Sequence, residues 1–373
     1  MTFTPGPEAE ELRAVVRGFL EKRSGEAEVR RWMDTDAGHD PAVWGQAATE
    51  LGLQGLAIDE RWGGSGASAV ELGVVFEEMG RVLYGGPFFG TVALAATTLS
   101  ELGDTAAQDR YLPGIAAGDT LAALAWAGPD PMTSTLRAQP DGATGGWRVS
   151  GRAELVVDGG VAGLLLAVAD TPDGLGVFAV ETTDGLTRTT LTPLDLTRKL
   201  AALDFADAPA TSIGTPGAIT DRLRRALDIA VLMLACEQVG GAARVLDMAV
   251  EYANTRVQFG RKIGSFQAIK HRCADMLVEV ESARSCAYYG VWMAAHQPEE
   301  LPIAASLAGS VCSEAYTRCA LENIQLHGGI GFTWEHPAHL YAKRARSSQL
   351  FLGSPVRHRT RLAELLDIPE VVG

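Results

Sequence analysis

The sequence predicts an α+β multidomain fold: an N-terminal helical domain (1–119), a central small β-barrel or sandwich (120–215) and a C-terminal four-helix bundle (216–373). Three successive rhythms carry that prediction. Apolar residues recur three or four apart from residue 8 to about 117, short apolar runs bounded by turn residues follow from 120 to about 214, and helical spacing returns after Asp221. At 373 residues the chain is longer than one core fills, and its 47% apolar content supplies several.

In the first region Leu12, Val15, Val16 and Phe19 share a helix face, and the pattern resumes over 67–82. The Gly-rich break Trp62-Gly-Gly-Ser-Gly66 lacks the Lys-Ser/Thr of a phosphate loop and reads as a turn. Strands are expected at 121–127, 147–150, 153–157, 162–168 and 176–180, because Asp-Gly pairs begin at Asp141, Asp158, Asp173 and Asp184. Beyond 221, Leu227, Val231 and Leu234 share one face, as do Leu246, Ala249, Val250 and Ala253. Phe266, Ile269, Cys273, Met276, Leu277 and Val280 repeat at the same spacing. Gly260 and Gly264, Gln297-Pro298 and Gly328-Gly329 mark the ends of these helices.

A net charge of -14 argues against nucleic acid or an anionic membrane as partner, since both require clustered Lys and Arg. No apolar run approaches the roughly 20 residues of a membrane span, and the longest, 229–236, reads as a buried helix. The acidic start lacks the basic and apolar parts of a signal peptide, so a cytoplasmic location is expected. Cys236, Cys273, Cys286, Cys312 and Cys319 show no CxxC spacing and read as buried free thiols. No carboxylate or thiol completes a ligand set around His327, His336 and His339, so no metal site is expected.

Two short motifs stand out, Arg256-Val-Gln-Phe-Gly260 and Gln325-Leu-His-Gly-Gly329. An arginine after a helix can pair bidentately with an oxyanion, and Gln258 and Phe259 follow it directly. A glutamine such as Gln325 donates and accepts at once, while Gly328 and Gly329 let the backbone approach a ligand closely. With Gly264-Ser-Phe-Gln267, Ala274-Asp-Met276 and Asn323-Ile-Gln-Leu-His-Gly-Gly-Ile-Gly-Phe-Thr333, these motifs resemble the acyl-CoA dehydrogenase family over nearly the whole chain.

The resemblance implies FAD as cofactor, an acyl-CoA thioester as substrate and electron-transfer flavoprotein or a similar acceptor. It also implies that Arg256, Gln258, Phe259, Gln325, Gly328 and Gly329 hold the flavin of a neighbouring subunit. The family's reaction needs a carboxylate to take the α-proton while the β-hydrogen leaves as hydride to the flavin. The family's glutamate position is occupied here by Leu352, in Phe351-Leu-Gly-Ser354, and the alternative position on the first long bundle helix by Ala230. Glu237, seven residues beyond Ala230 on the same stripe, reads as either a relocated base or a structural residue. Leu155 and Val157 stand where the family packs an aromatic and a hydroxyl against its own flavin. The small residues Ala230, Ala235 and Gly240 only hint at space on the bundle helices.

The sorting of these losses resembles the heteromeric acyl-CoA dehydrogenases of actinobacterial sterol catabolism, where a chain without the base pairs with a homologous subunit in an α2β2 tetramer. Three readings stay open: such a partner subunit, a self-sufficient homo-oligomeric enzyme using Glu237, and a scaffold that binds no flavin.

Overall fold

Pro7 in the first turn, Glu8 and Glu10 beside it and Lys22 and Arg23 in the last turn orient helix α1 (Pro7–Arg23) along its own dipole. The structure, a computed structural model, describes residues 3, 6–143 and 145–368. The acidic start of the chain lies partly outside the described residues. Helices α2 (Glu26–Met33), α3 (Pro41–Thr49), α4 (Ala69–Arg81), α5 (Thr97–Leu102) and α6 (Thr105–Ala116) complete the first helical region. Asp40 and Asp104 cap α3 and α6 by accepting from the amides of Ala42 and Ala107.

Seven strands follow: β1 (Ala122–Ala125), β2 (Arg137–Pro140), β3 (Trp147–Val157), β4 (Leu164–Thr171), β5 (Gly174–Val180), β6 (Leu186–Thr190) and β7 (Leu200–Ile213). The chain then forms α7 (Thr220–Thr255), the two-residue strands β8 (Val257–Gln258) and β9 (Arg261–Lys262), and helices α8 (Gln267–His296), α9 (Leu301–His327), α10 (Ala338–Leu350) and α11 (Pro355–Leu365). The C-terminal region thus has three long helices and two shorter ones.

The chain divides into two compact units, one of Met1–Val29, Ala69–Tyr84 and Val231–Gly373, the other of Arg30–Ser68 and Gly85–Ala230. In the second unit the sheet runs β1-β4-β2-β3-β7-β5, β6 lies on β7, and β5 pairs back onto β4. That last pairing closes a barrel around Leu136, Val149, Leu165, Phe178 and Leu203, all fully buried. Strand β3 is one strand where two were expected, with register shifts against β7 at Val149/Gly151 and Ala153/Val156. Strands β2, β6 and β7 were not anticipated from the sequence.

In the first unit, α4 and α7 cross with backbones nearly touching. A Cβ on Gly80 would lie 1.9 Å from the Glu237 carbonyl oxygen, and one on Gly240 would lie 1.8 Å from that of Glu77. Gly240 therefore serves a helix crossing and opens no acyl space; Ala230 and Ala235 are likewise fully buried. Beside the crossing, Arg13 of α1 bridges Glu77 and Glu78 of α4 at 2.8 and 3.0 Å, and Arg17 pairs with Glu78 at 2.8 Å. Tyr288 of α8 donates to Glu77 at 2.7 Å, closing a network that ties α1, α4 and α8 together.

Among the described residues one helix, α7, is long and apolar enough to cross a membrane by length and composition, and 89% of its most apolar window is buried inside the protein. This is a core helix, as residues 229–236 suggested. Val250 and Leu277, expected on buried faces, are instead 38% and 49% exposed. All five cysteines are free; Cys236, Cys312 and Cys319 are buried, while Cys273 and Cys286 are only half-buried.

Candidate functional site

Helix α7 ends at Thr255, and the chain reverses at once in a two-residue hairpin. Val257 pairs with Lys262 and Gln258 with Arg261, while the Ile263 amide donates to the Arg256 carbonyl at 2.9 Å. Phe259 (φ 52) and Gly260 (φ 75) form the turn, both left-handed as a tight hairpin with the sheet's own twist requires. Glycine takes that conformation freely, whereas Phe259 takes it at a cost and holds its ring 91% exposed.

A second loop lies beside this hairpin. The Arg256 amide donates to the Tyr252 carbonyl at 2.8 Å, and the Tyr252 ring stacks on His327 with centroids 4.3 Å apart. His327 is the last residue of α9, so Gly328 (φ 63) and Gly329 emerge next to the hairpin's base. The fold thus brings together two motifs about 65 residues apart in sequence. The His327 imidazole also meets His336 at 4.3 Å, and burial lowers its pKa, which keeps the ring neutral at neutral pH. Among the described residues no group of His, Cys, Asp and Glu could hold a metal ion.

The chemistry of this face suits a phosphate-bearing ligand. Arg256, Gln258, Gln325, Gly328 and Gly329 are all exposed, and among the described residues no carboxylate forms an ion pair with Arg256. A Cβ placed on Gly328 or Gly329 would meet nothing within 4 Å, so the backbone there borders open space. One guanidinium, two amides and unobstructed glycine backbone make a donor-rich surface that fits the pyrophosphate half of FAD.

The residues at the expected base positions are far less polar. Leu352 follows α10 with φ 57, in a turn continued by Gly353 at φ 118. Ser354 then caps α11 by accepting from the Arg357 amide at 3.3 Å. His358, buried and hydrogen-bonded to the Gly353 backbone, braces this turn, and burial beside Arg361 and Arg357 pushes its pKa down to about 4. A leucine in the left-handed region is strained, so the turn is held by its surroundings and not by the preference of residue 352.

Glu237 is buried in α7 and receives a hydrogen bond from Arg344 of α10 at 3.0 Å; the two side chains are 7% and 3% exposed. Seven residues of helix place it about 10 Å along the axis from Ala230, and some 27 Å separate it from the end of α7 that carries the hairpin. In the other unit, Leu155 lies 63% exposed beside the irregularity in β3, while Val157 is buried. The Glu237–Arg344 pair and the unpaired state of Arg256 were not legible from the sequence, because both depend on contacts distant along the chain.

Comparison with known proteins adds four findings. Residues 6–119 match the family model for the acyl-CoA dehydrogenase N-terminal domain and residues 220–366 that for its C-terminal domain. The acyl-CoA dehydrogenase IpdE2 of Mycobacterium tuberculosis is 37% identical over 359 residues, 95% of each chain. Among solved structures, a variant of the Tcur3481-Tcur3483 steroid ACAD is 30% identical with a TM-score of 0.88, covering 98% of this chain and 99% of that one. The ChsE4-ChsE5 complex from Mycobacterium tuberculosis is 28% identical with a TM-score of 0.90, covering 100% of each chain.

Proposed function

The chain belongs to the acyl-CoA dehydrogenase family of FAD-dependent oxidoreductases, and from that premise we propose that it is the partner subunit of a two-chain enzyme, supplying FAD contacts to a neighbouring subunit and no catalytic base of its own. One contrast carries the reading. The phosphate-binding set is intact and exposed on one face, while both base positions, Leu352 and Ala230, hold groups that cannot take a proton.

Glu237 does not fill that gap. A carboxylate held by a buried guanidinium is half of an ion pair, and breaking such a pair leaves an uncompensated charge in the interior. Its place about 10 Å along α7 from Ala230 also sets it well off the position where the family's base stands on that helix. The apolar pair Leu155 and Val157 offers no hydroxyl to a flavin ring, which agrees with a flavin seated chiefly on the other chain.

FAD, when bound, supplies the hydride acceptor for α,β-dehydrogenation of the thioester. This chain's part would be to hold its pyrophosphate: Arg256 would pair with the phosphoryl oxygens, Gln258 and Gln325 would donate beside them, and the Gly328-Gly329 backbone would lie against them. A bulky, sterol-derived acyl-CoA is the substrate class that the similarity to the steroid ACAD supports.

The test is reconstitution. The purified chain should carry little flavin and turn over no acyl-CoA with an artificial electron acceptor. Co-expression with a family member that keeps its glutamate should yield a stable, yellow, active complex. Glu237→Leu with Arg344→Met, which removes both charges of the buried pair together, should leave that activity intact. A yellow, active assembly of this chain alone, silenced by that double change while its circular dichroism stays native, would establish the homo-oligomeric enzyme instead. No flavin in any combination would leave the scaffold reading.

A further inference from the structure

The hairpin that carries Arg256 also presents a second guanidinium whose geometry the pyrophosphate contact does not yet use. In a two-residue hairpin, residues directly opposite share a face and residues two apart along a strand share it as well. Gln258 is opposite Arg261, and Arg256 lies two residues before Gln258. Arg256, Gln258 and Arg261 therefore project from the same side of the ribbon, with Val257 and Lys262 on the other.

Arg261 is also held in place. Its guanidinium carbon lies 4.0 Å from the centroid of the Phe266 ring, and Phe266 in turn meets Phe259 edge-on at 6.2 Å and 85°. Stacking on an aromatic face fixes the guanidinium plane and leaves its edge N–H groups free to donate. Among the described residues no carboxylate pairs with either Arg256 or Arg261, whereas arginines nearby are paired: Arg244 with Glu251 at 3.5 Å and Arg272 with Glu322 at 2.6 Å. In a chain of net charge -14, two unpaired guanidiniums on one face of an exposed hairpin form a local site for a dianion.

We propose that Arg261 is a second pyrophosphate contact, taking one phosphoryl group of a neighbouring subunit's FAD while Arg256 takes the other. The spacing suits this assignment: neighbours across and along the ribbon lie about 5 and 7 Å apart, within reach for two arginines to bracket adjacent phosphoryl groups. Phe266 is the positioning residue that aims Arg261. The inference rests on the cofactor role proposed for Arg256 and adds a distinct residue to it.

Equilibrium binding of FAD, ADP and AMP to the co-expressed two-chain complex, stripped of flavin, tests it. Arg261→Ala should weaken FAD and ADP about tenfold or more and AMP less than threefold, because AMP lacks the second phosphoryl group. Arg261→Lys, which keeps the charge but not the stacked plane, should recover part of the loss. Phe266→Leu should mimic Arg261→Ala on ADP with the charge still present. Circular dichroism and melting of each variant separate lost binding from lost folding. Unchanged FAD and ADP binding in a folded Arg261→Ala, with binding lost in Arg256→Ala, would overturn this inference and leave the cofactor reading standing. Failure of the wild-type complex to bind FAD or ADP overturns both.

Discussion

Arg344 and Glu237 show at the scale of single residues how burial decides what a carboxylate can do. Both side chains are under a tenth exposed and bond at 3.0 Å, so each stands in for the water the other lost. Removing only the cation should be severe. Arg344→Met is expected to lower unfolding stability by about 3–5 kcal/mol, and the double change with Glu237→Leu should recover most of it, since two apolar groups bury without a charge penalty. Urea denaturation of both variants checks this, and a mild single-variant effect would show the pair to be solvated. The sequence could place Glu237 on an apolar stripe of α7 but could not supply Arg344, which lies 107 residues away. Arg256, by contrast, was legible because its companions Gln258, Phe259 and Gly260 are contiguous with it.

Elements were legible wherever one periodicity ran long enough. Helices α8 and α9 ended where Gln297-Pro298 and Gly328 implied, because those residues stop helices by local chemistry, whereas α7 stopped at Thr255, ahead of Gly260, which serves the hairpin turn instead. Strand β7 was missed although it is 14 residues long. Its Leu-Ala-Ala-Leu-Asp-Phe-Ala-Asp-Ala-Pro run is poor in β-branched residues and forms a strand because β3, β5 and β6 all pair with it. The crossing of α4 and α7 was equally hidden, since a glycine inside a helix does not disclose what it touches. Gly240→Ala should test that contact. The added methyl would sit 1.8 Å from the Glu77 carbonyl oxygen, so the helices must separate, and the loss should reach about 3 kcal/mol despite alanine's higher helix propensity. A midpoint shift in urea with unchanged slope would confirm it, and a stabilised Gly240→Ala would contradict it.

Across the whole molecule, the order helix, strand, helix was readable, and the Asp173-Gly174 signal marks the β4–β5 hairpin, but closure of the barrel was not readable, because it also needs β5 on β7 and β4 on β1 and β2, pairings distant along the chain that no local pattern encodes. The surface of the C-terminal region carries a further consequence. Phe259, Phe332 and Trp334 are 91%, 80% and 61% exposed around the two sequence motifs, and exposed large apolar side chains are what a contact with the proposed partner subunit would cover. If the neighbour's FAD is gripped there, assembly and flavin retention must depend on the same aromatic residues. Phe259→Asn with Phe332→Ser separates this from simple misfolding. Asparagine before Gly260 is the favoured pair for this hairpin turn, so the backbone is kept or improved while the ring is lost. Truncated aromatic anchors typically cost about 2 kcal/mol or more at an interface, so dissociation of the two-chain complex on dilution should set in at roughly 30-fold higher concentration or above. Sedimentation velocity would show it, with flavin lost in parallel with mass. A complex that stays intact and yellow at the lowest measurable concentration would place the subunit contact on another face.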